Sequence, residues 1–166
     1  TRFLSKEFAE EASHIFARNR IPVFLTDRDT PTPCISFTIL HRKALGGINL
    51  SASHNPPEYG GIKFSPAHGG PAGVEVTGQI EDEIRKIMSD GKRVSENRKC
   101  AKISLIDPAP GYLSHLATLI DTKILKKANL RVVVDCLNGT SRGYLDRFLK
   151  GRVRGLTLLR ARRDPT

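Results

Sequence analysis

Apolar residues recur at helical spacing near the start of the chain, and shorter apolar runs follow. The first pattern contains Phe8, Ala12 and Ile15, and it predicts a helix that Ser5 caps and that ends near Asn19. The later runs predict a strand at 21–26, a helix at 34–40, strands at 47–51 and 62–64, and a helix from about 76 to 91. Strands that alternate with helices in this way favour an α/β domain with a mixed or parallel sheet.

A charged stretch without periodicity, at 92–102, separates this part from a second one. The pattern there predicts a helix at 112–120, a strand at 130–135, a glycine-containing turn at 138–143 and a helix at 144–149. A strand, a glycine turn and a helix begin an α/β unit, and we expect the chain to end before that unit is complete. We therefore predict a first domain at 1–100 and the beginning of a second domain at 101–166.

Composition narrows the class of protein. The chain has 166 residues, of which 39% are hydrophobic and 27% charged, as is typical of a globular protein in water. No apolar run approaches 18 residues, so we expect no membrane span. Cys34, Cys100 and Cys136 lie far apart, which indicates reduced thiols in a cytoplasmic protein rather than a disulfide scaffold or a zinc site. The chain does not begin with Met, and we expect it to start partway through a longer protein.

Positive charge is concentrated near the end of the chain. The net charge is +10, and the segment 123–166 carries 12 Lys and Arg residues against three Asp residues. Such a segment can bind nucleic acid or another polyanion, or it can contact an acidic part of a larger protein. Few aromatic side chains accompany these charges for stacking on bases, so we favour the second interpretation and expect no nucleic-acid partner.

The segment between the strands at 47–51 and 62–64 has unusual chemistry. Ser53 and His54 precede two prolines, which restrict the backbone, and Gly60 and Gly61 then allow the chain to turn back towards Lys63. A hydroxyl, an imidazole and an ammonium group could gather there around one phosphate. Each residue also has an ordinary structural explanation, as a turn serine, a surface histidine or a solvated lysine. The residues alone therefore predict only a stiff loop that is suited to phosphate.

The run from Ser51 to Phe64, SASHNPPEYGGIKF, resembles the phosphoserine loop of the α-D-phosphohexomutases, the phosphoglucomutase/phosphomannomutase family. Segments 1–5, 30–33, 69–72 and 132–139 resemble other parts of the same family. The resemblance implies an α/β fold: a three-layer, mixed-sheet phosphohexomutase domain 1 that lacks its first strand, followed by the start of a similar second domain.

The resemblance also implies roles for individual residues. Ser53 matches the serine that carries the transferred phosphoryl group, and His54 matches its neighbour near the phosphate. Lys63 matches the lysine that assists proton transfer or steadies the migrating phosphate. Many members have Asn where this chain has Gly60, a difference that should loosen the loop.

The implied cofactors are Mg²⁺, bound through a phosphoryl oxygen on Ser53, and a hexose 1,6-bisphosphate as intermediate and activator. The family holds Mg²⁺ with an Asp-x-Asp-x-Asp-Arg run that this sequence lacks, since Asp27-Arg28-Asp29 is too short. The metal carboxylates are therefore expected from remaining domains of the same protein.

Two functions are favoured at this point over a third, a nucleic-acid-binding module that uses the basic end of the chain. In the first, the whole protein interconverts hexose 1-phosphate and hexose 6-phosphate, with a phosphosugar as its substrate, and residues 1–166 alone are inactive. In the second, the chain is a non-catalytic fragment that binds phosphosugars or another protein.

Overall fold

The computed structural model describes residues 4–56, 58–91 and 100–163. Within these ranges the chain forms six helices and six strands. In chain order they are α1 (Ser5–Arg18), β1 (Val23–Thr26), α2 (Thr32–His41), β2 (Gly46–Leu50), β3 (Ile62–Pro66), α3 (Val74–Asp90), β4 (Ile103–Ile106), α4 (Ala109–Leu119), α5 (Thr122–Lys127), β5 (Arg131–Asp135), α6 (Leu145–Leu149) and β6 (Gly155–Leu159). The predictions made for 1–3, for Pro57 and for 92–99 fall outside the described residues.

The described strands form three two-stranded sheets. β1 is parallel to β4, β2 is antiparallel to β3, and β5 is parallel to β6. This mixture of parallel and antiparallel pairing with helices confirms the predicted α/β class. β4 lies after residue 100 but pairs with β1, so one strand pair crosses the proposed division between 1–100 and 101–166. That division stays a prediction.

The expectation that Ser5 caps α1 is wrong. Leu4 occupies the N-cap position with a left-handed φ of 53°, and Ser5 is the first helical residue. The helical hydrogen bonding already begins with the Leu4 carbonyl, which accepts from the Phe8 amide at 2.9 Å. At the other end the prediction is confirmed, because Asn19 is the C-cap and its side-chain amide also donates to the Ile15 carbonyl at 2.8 Å.

The expectation that the second α/β unit is incomplete is also wrong. β6 follows α6 and pairs in parallel with β5, in the register Arg131 to Gly155, so a strand–helix–strand unit closes by residue 159. The sequence pattern also failed to predict β4 and α5. α5 begins with an ordinary cap, since the Asp121 carboxylate accepts a hydrogen bond from the Lys123 amide at 2.9 Å.

Buried side chains form two groups. Val134, Cys136, Phe148 and Leu149 pack between β5 and α6. Cys34, Ala109 and Tyr144 form a second group, which joins α2, α4 and the residue before α6. Burial raises the pKa of the Cys34 thiol and raises the pKa of Tyr144 to about 12. The second group ties α2 to the second half of the chain.

A buried ion pair connects the loop before α2 to the second half of the chain as well. A guanidinium nitrogen of Arg142 lies 2.6 Å from a carboxylate oxygen of Asp29, and both side chains are largely buried. Arg28 donates in turn to the carbonyl of Arg142 at 2.5 Å. Removing one partner of such a pair leaves an uncompensated charge in the interior, so the pair fixes the loop before α2 firmly.

The helices in the described ranges are short or carry many charged residues. None of them is long and apolar enough to cross a membrane.

Candidate functional site

The predicted phosphate-binding loop connects the two strands of the β2–β3 hairpin. The strand ladder continues one residue past β2, where the Ser51 amide donates to the Gly61 carbonyl at 2.9 Å. A Cβ on Gly61 would lie 2.9 Å from the Ser51 carbonyl oxygen, whereas a Cβ on Gly60 would meet no atom within 4 Å. Gly61 therefore permits the close approach that shuts the loop, and Gly60 has room for a side chain.

Ser53 lies in a tight turn just beyond the end of β2. Its φ is 58°, in the left-handed region that residues other than glycine seldom adopt. The Ser53 amide donates to the Ser51 side-chain oxygen at 3.1 Å, and the Asn55 amide donates to the Ala52 carbonyl at 3.2 Å. The turn thus holds a strained serine whose side chain is exposed.

His54 is placed beside Ser53. The hydroxyl oxygen of Ser53 is 3.4 Å from Nδ1 of His54, and both side chains are exposed. At this separation a neutral imidazole can accept the hydroxyl proton, and a protonated one can donate to an anion in its place. The structure therefore brings together two of the three predicted site residues.

Lys63 lies on β3, directly opposite Asn49 of β2. Its side chain is exposed and points to the opposite face from those of Ile62 and Phe64, as the alternation along a strand requires. The hairpin thus carries two separate groups: Ser53 with His54 in the turn, and Lys63 with Asn49 on one face of the strands.

Two further residues of the site were not predicted from the sequence. The side-chain amide of Asn49 donates to the hydroxyl of Thr32, the first residue of α2, at 2.7 Å. The only sequence signal for Asn49 was its place in the two-residue alternation of β2. Its partner could not be found this way, because 17 residues separate the two along the chain.

The N-terminus of α2 makes this side of the hairpin more positive. The first turn of α2, which the structure describes in full, contains no acidic residue and no side-chain cap. The positive end of a helix dipole favours nearby anions, and Thr32 at that end contacts the strand residue opposite Lys63. The electrostatics of this face therefore suit a phosphate group.

The residues that the structure describes do not form a site for Mg²⁺. Within the ranges that the structure describes, no three His, Cys, Asp or Glu side chains are grouped so as to hold a metal ion. Ser53 could contribute one oxygen, through a phosphoryl group in the phosphorylated form, and one such ligand does not fill the six positions that Mg²⁺ takes. The described residues would therefore supply at most a small part of the coordination of the metal.

Comparison with known proteins gives the family. Residues 1–91 match the family model for the phosphoglucomutase/phosphomannomutase α/β/α domain I. The chain is 31% identical over 180 residues to a phosphoglucomutase of Komagataeibacter xylinus, an alignment that covers 100% of this chain and 32% of the relative. It is 31% identical over 148 residues to a phosphoglucomutase of Staphylococcus saprophyticus, with 85% of this chain and 26% of the relative covered.

Solved structures agree in fold. A Thermus thermophilus protein described as a phosphomannomutase superimposes with a TM-score of 0.83 at 33% identity, over 99% of this chain and 36% of that one. The open form of the Paramecium phosphoglucomutase pp63/parafusin superimposes with a TM-score of 0.79 at 20% identity, over 98% of this chain and 35% of that one, which shows the fold alone. This chain spans about a third of the length of such relatives, and it belongs to the phosphoglucomutase/phosphomannomutase family.

Proposed function

We propose that this chain supplies the phosphoserine loop of an enzyme that interconverts hexose 1-phosphate and hexose 6-phosphate. The activity is proposed for the whole protein, because the chain spans about a third of its relatives. The observation that carries the proposal is Ser53, an exposed serine held at φ 58° in a closed turn with an imidazole 3.4 Å from its hydroxyl.

In the proposed reaction, phospho-Ser53 gives its phosphoryl group to the free hydroxyl of a hexose monophosphate. The bond between phosphorus and the Ser53 oxygen breaks and that oxygen takes up a proton, while a bond to the sugar oxygen forms and the proton of the sugar hydroxyl passes to a base. The resulting hexose 1,6-bisphosphate turns over in the site and returns its other phosphate to Ser53. The exchange conserves both phosphates, so the bisphosphate acts as intermediate and activator.

The positive groups of the hairpin have a direct use in this scheme. A phosphoserine carries about −1.5 to −2 charges near neutral pH. Lys63 and the positive end of α2 lie on the same face of the hairpin as Asn49. There they would attract the charge of the phosphoserine and stabilise it during transfer. His54, next to the Ser53 oxygen, can donate to the phosphoryl group when protonated.

The metal ligands and the sugar-binding groups of the proposed site would come from other parts of the protein. Ligands for Mg²⁺ would come from outside residues 1–166, with one phosphoryl oxygen of phospho-Ser53 as this chain's share. The sugar-binding groups would come from the remaining domains, because Ser53, His54 and Lys63 are all exposed here. A cytoplasmic location fits the buried thiols of Cys34 and Cys136.

The test is Ser53→Ala in the whole protein, assayed for conversion of glucose 1-phosphate to glucose 6-phosphate with Mg²⁺ and the bisphosphate. We expect turnover to fall at least about 10³-fold, because the group that accepts and returns the phosphate is gone. The matched control is Ser89→Ala, which removes an exposed hydroxyl on α3 that donates to the Lys86 carbonyl. Peptide mass spectrometry should locate the phosphate on Ser53 in the parent protein.

Three results would count against this proposal. Near-normal turnover by the Ser53→Ala variant would remove Ser53 as the carrier. Turnover by residues 1–166 alone, which we expect to be inactive, would show that the missing metal carboxylates are not needed. Binding of hexose phosphate by a parent protein without any turnover would favour the non-catalytic function instead.

A further inference from the structure

The β2–β3 hairpin is attached to α2 at two levels. At the first level, Gly47 packs so closely that a Cβ on it would lie 2.7 Å from Cδ1 of Ile39. At the second level, two residues nearer to the loop on the same strand face, Asn49 donates to the Thr32 hydroxyl at 2.7 Å. The helix therefore runs along the strand, with its first turn beside Asn49 and a later turn beside Gly47.

Lys63 lies directly across the hairpin from Asn49, beside the contact between Asn49 and α2. The two residues are Cα partners in the antiparallel register, so their side chains share a face with Cβ atoms about 5 Å apart. The next pair towards the loop is Leu50 with Ile62, and Ile62 is 74% exposed. Packing therefore gives that pair little support, and the hydrogen bond from Asn49 to Thr32 anchors the hairpin close to the loop.

We propose that Asn49 is a positioning residue for Lys63, an inference that rests on the proposed function. The hydrogen bond to Thr32 holds the Asn49 side chain against α2 and so fixes the position of the hairpin relative to that helix. The Asn49 side chain also limits the rotamers that the neighbouring Lys63 side chain can adopt. A lysine has four rotatable side-chain bonds, and a solvated one samples many directions. Asn49 holds the ammonium group over the loop side of the hairpin, where a phosphoryl group on Ser53 would need it.

The test compares variants of the whole protein in the mutase assay. Asn49→Leu keeps the size of the side chain and removes the amide, Thr32→Val removes the acceptor, and Thr32→Ser retains it. We expect kcat to fall about three- to tenfold for the first two variants, with KM within about twofold, and Thr32→Ser to stay near the parent. The control is Asn19→Leu, which removes an exposed amide that donates to a helix carbonyl at 2.8 Å.

A second arm separates positioning of Lys63 from general support of the fold. In a Lys63→Met background, Asn49→Leu should lower kcat by less than about twofold, since the group that it positions is already absent. The same three- to tenfold loss in that background would overturn the inference, and so would a normal kcat for Asn49→Leu with Lys63 present. If Asn49→Leu does not fold, kcat of Thr32→Val is compared with kcat of Thr32→Ser. A lower kcat for Thr32→Val alone supports the inference, and equal values for the two variants overturn it.

The Ser53→Ala variant distinguishes this inference from the proposed function. An inactive Ser53→Ala together with a normal Asn49→Leu would overturn the positioning role alone. An active Ser53→Ala would overturn the proposed function, and the role of Asn49 with it.

Discussion

Gly61 and Gly60 offer a sharp test of how the loop geometry supports activity. Adding a methyl group at Gly61 places a carbon 2.9 Å from the Ser51 carbonyl oxygen and 3.6 Å from Cα of Ala52. The first contact is about 0.5 Å shorter than an ordinary van der Waals contact. Because the contacted atom belongs to the backbone, a side-chain rotation cannot relieve the overlap. The Gly61→Ala substitution must push the two ends of the loop apart.

The cost of that movement follows from the hydrogen bond at the same place. The Ser51 amide donates to the Gly61 carbonyl at 2.9 Å, so separating the two residues weakens the bond that closes the loop. Overpacking of this kind costs about 1–3 kcal/mol of folding free energy. A shift of the Ser53 hydroxyl by a large fraction of an ångström should lower kcat about 10- to 100-fold, because phosphoryl transfer depends on positioning.

Gly60→Ala is the matched control, because the same methyl group one residue earlier meets nothing within 4 Å. We expect this variant to keep kcat within about twofold and to keep or slightly raise the thermal midpoint, since alanine restricts the unfolded chain. The assay is mutase turnover of the whole protein together with thermal unfolding of each variant. Equal effects of the two substitutions, or full activity of Gly61→Ala, would refute the reasoning from loop closure.

Two other predictions concern Lys63 and Tyr144. Lys63→Met should lower kcat by roughly 10²-fold and Lys63→Arg should restore part of it, because guanidinium keeps the charge but is a poor proton donor. Lys86→Met, which removes an exposed lysine on α3, is the control, and a twofold effect or less for both Lys63 variants would place Lys63 outside the site. For Tyr144, burial raises the pKa to about 12 from 10.0, so the phenol ionises more readily in the unfolded chain. The stability that it contributes should be complete below about pH 10 and should disappear as the pH rises towards 12. In urea unfolding at pH 8 and pH 11, Tyr144→Phe should lose less stability between the two pH values than the parent does, and an unchanged loss would contradict the assignment.

Local sequence signals were sufficient for many of the elements. The periodic apolar residues of α1 and α3, and the β-branched run of β5, each report a structure that depends mainly on neighbours in the chain. Gly91 ends α3 with a left-handed φ of 61°, close to the helix end that the periodicity predicted. The pattern did not predict β4 or β6, and length is not the reason, because β1 and β5 are equally short and were predicted.

The loop shows the same division between local and distant causes. The sequence alone supplied the candidate chemistry of the site, because a serine, a histidine and a lysine stand in one continuous segment that covers the turn after β2 and the start of β3. That segment also carries the resemblance to the family. The tertiary structure decided which of its two glycines is required, since only Gly61 lies against the Ser51 carbonyl. It also decided that Asn49 and Thr32 meet beside Lys63, and that Arg142 reaches Asp29 across 113 residues. Contacts between residues so far apart leave no periodic trace in a single sequence, because they depend on how strands and helices pack after each has formed.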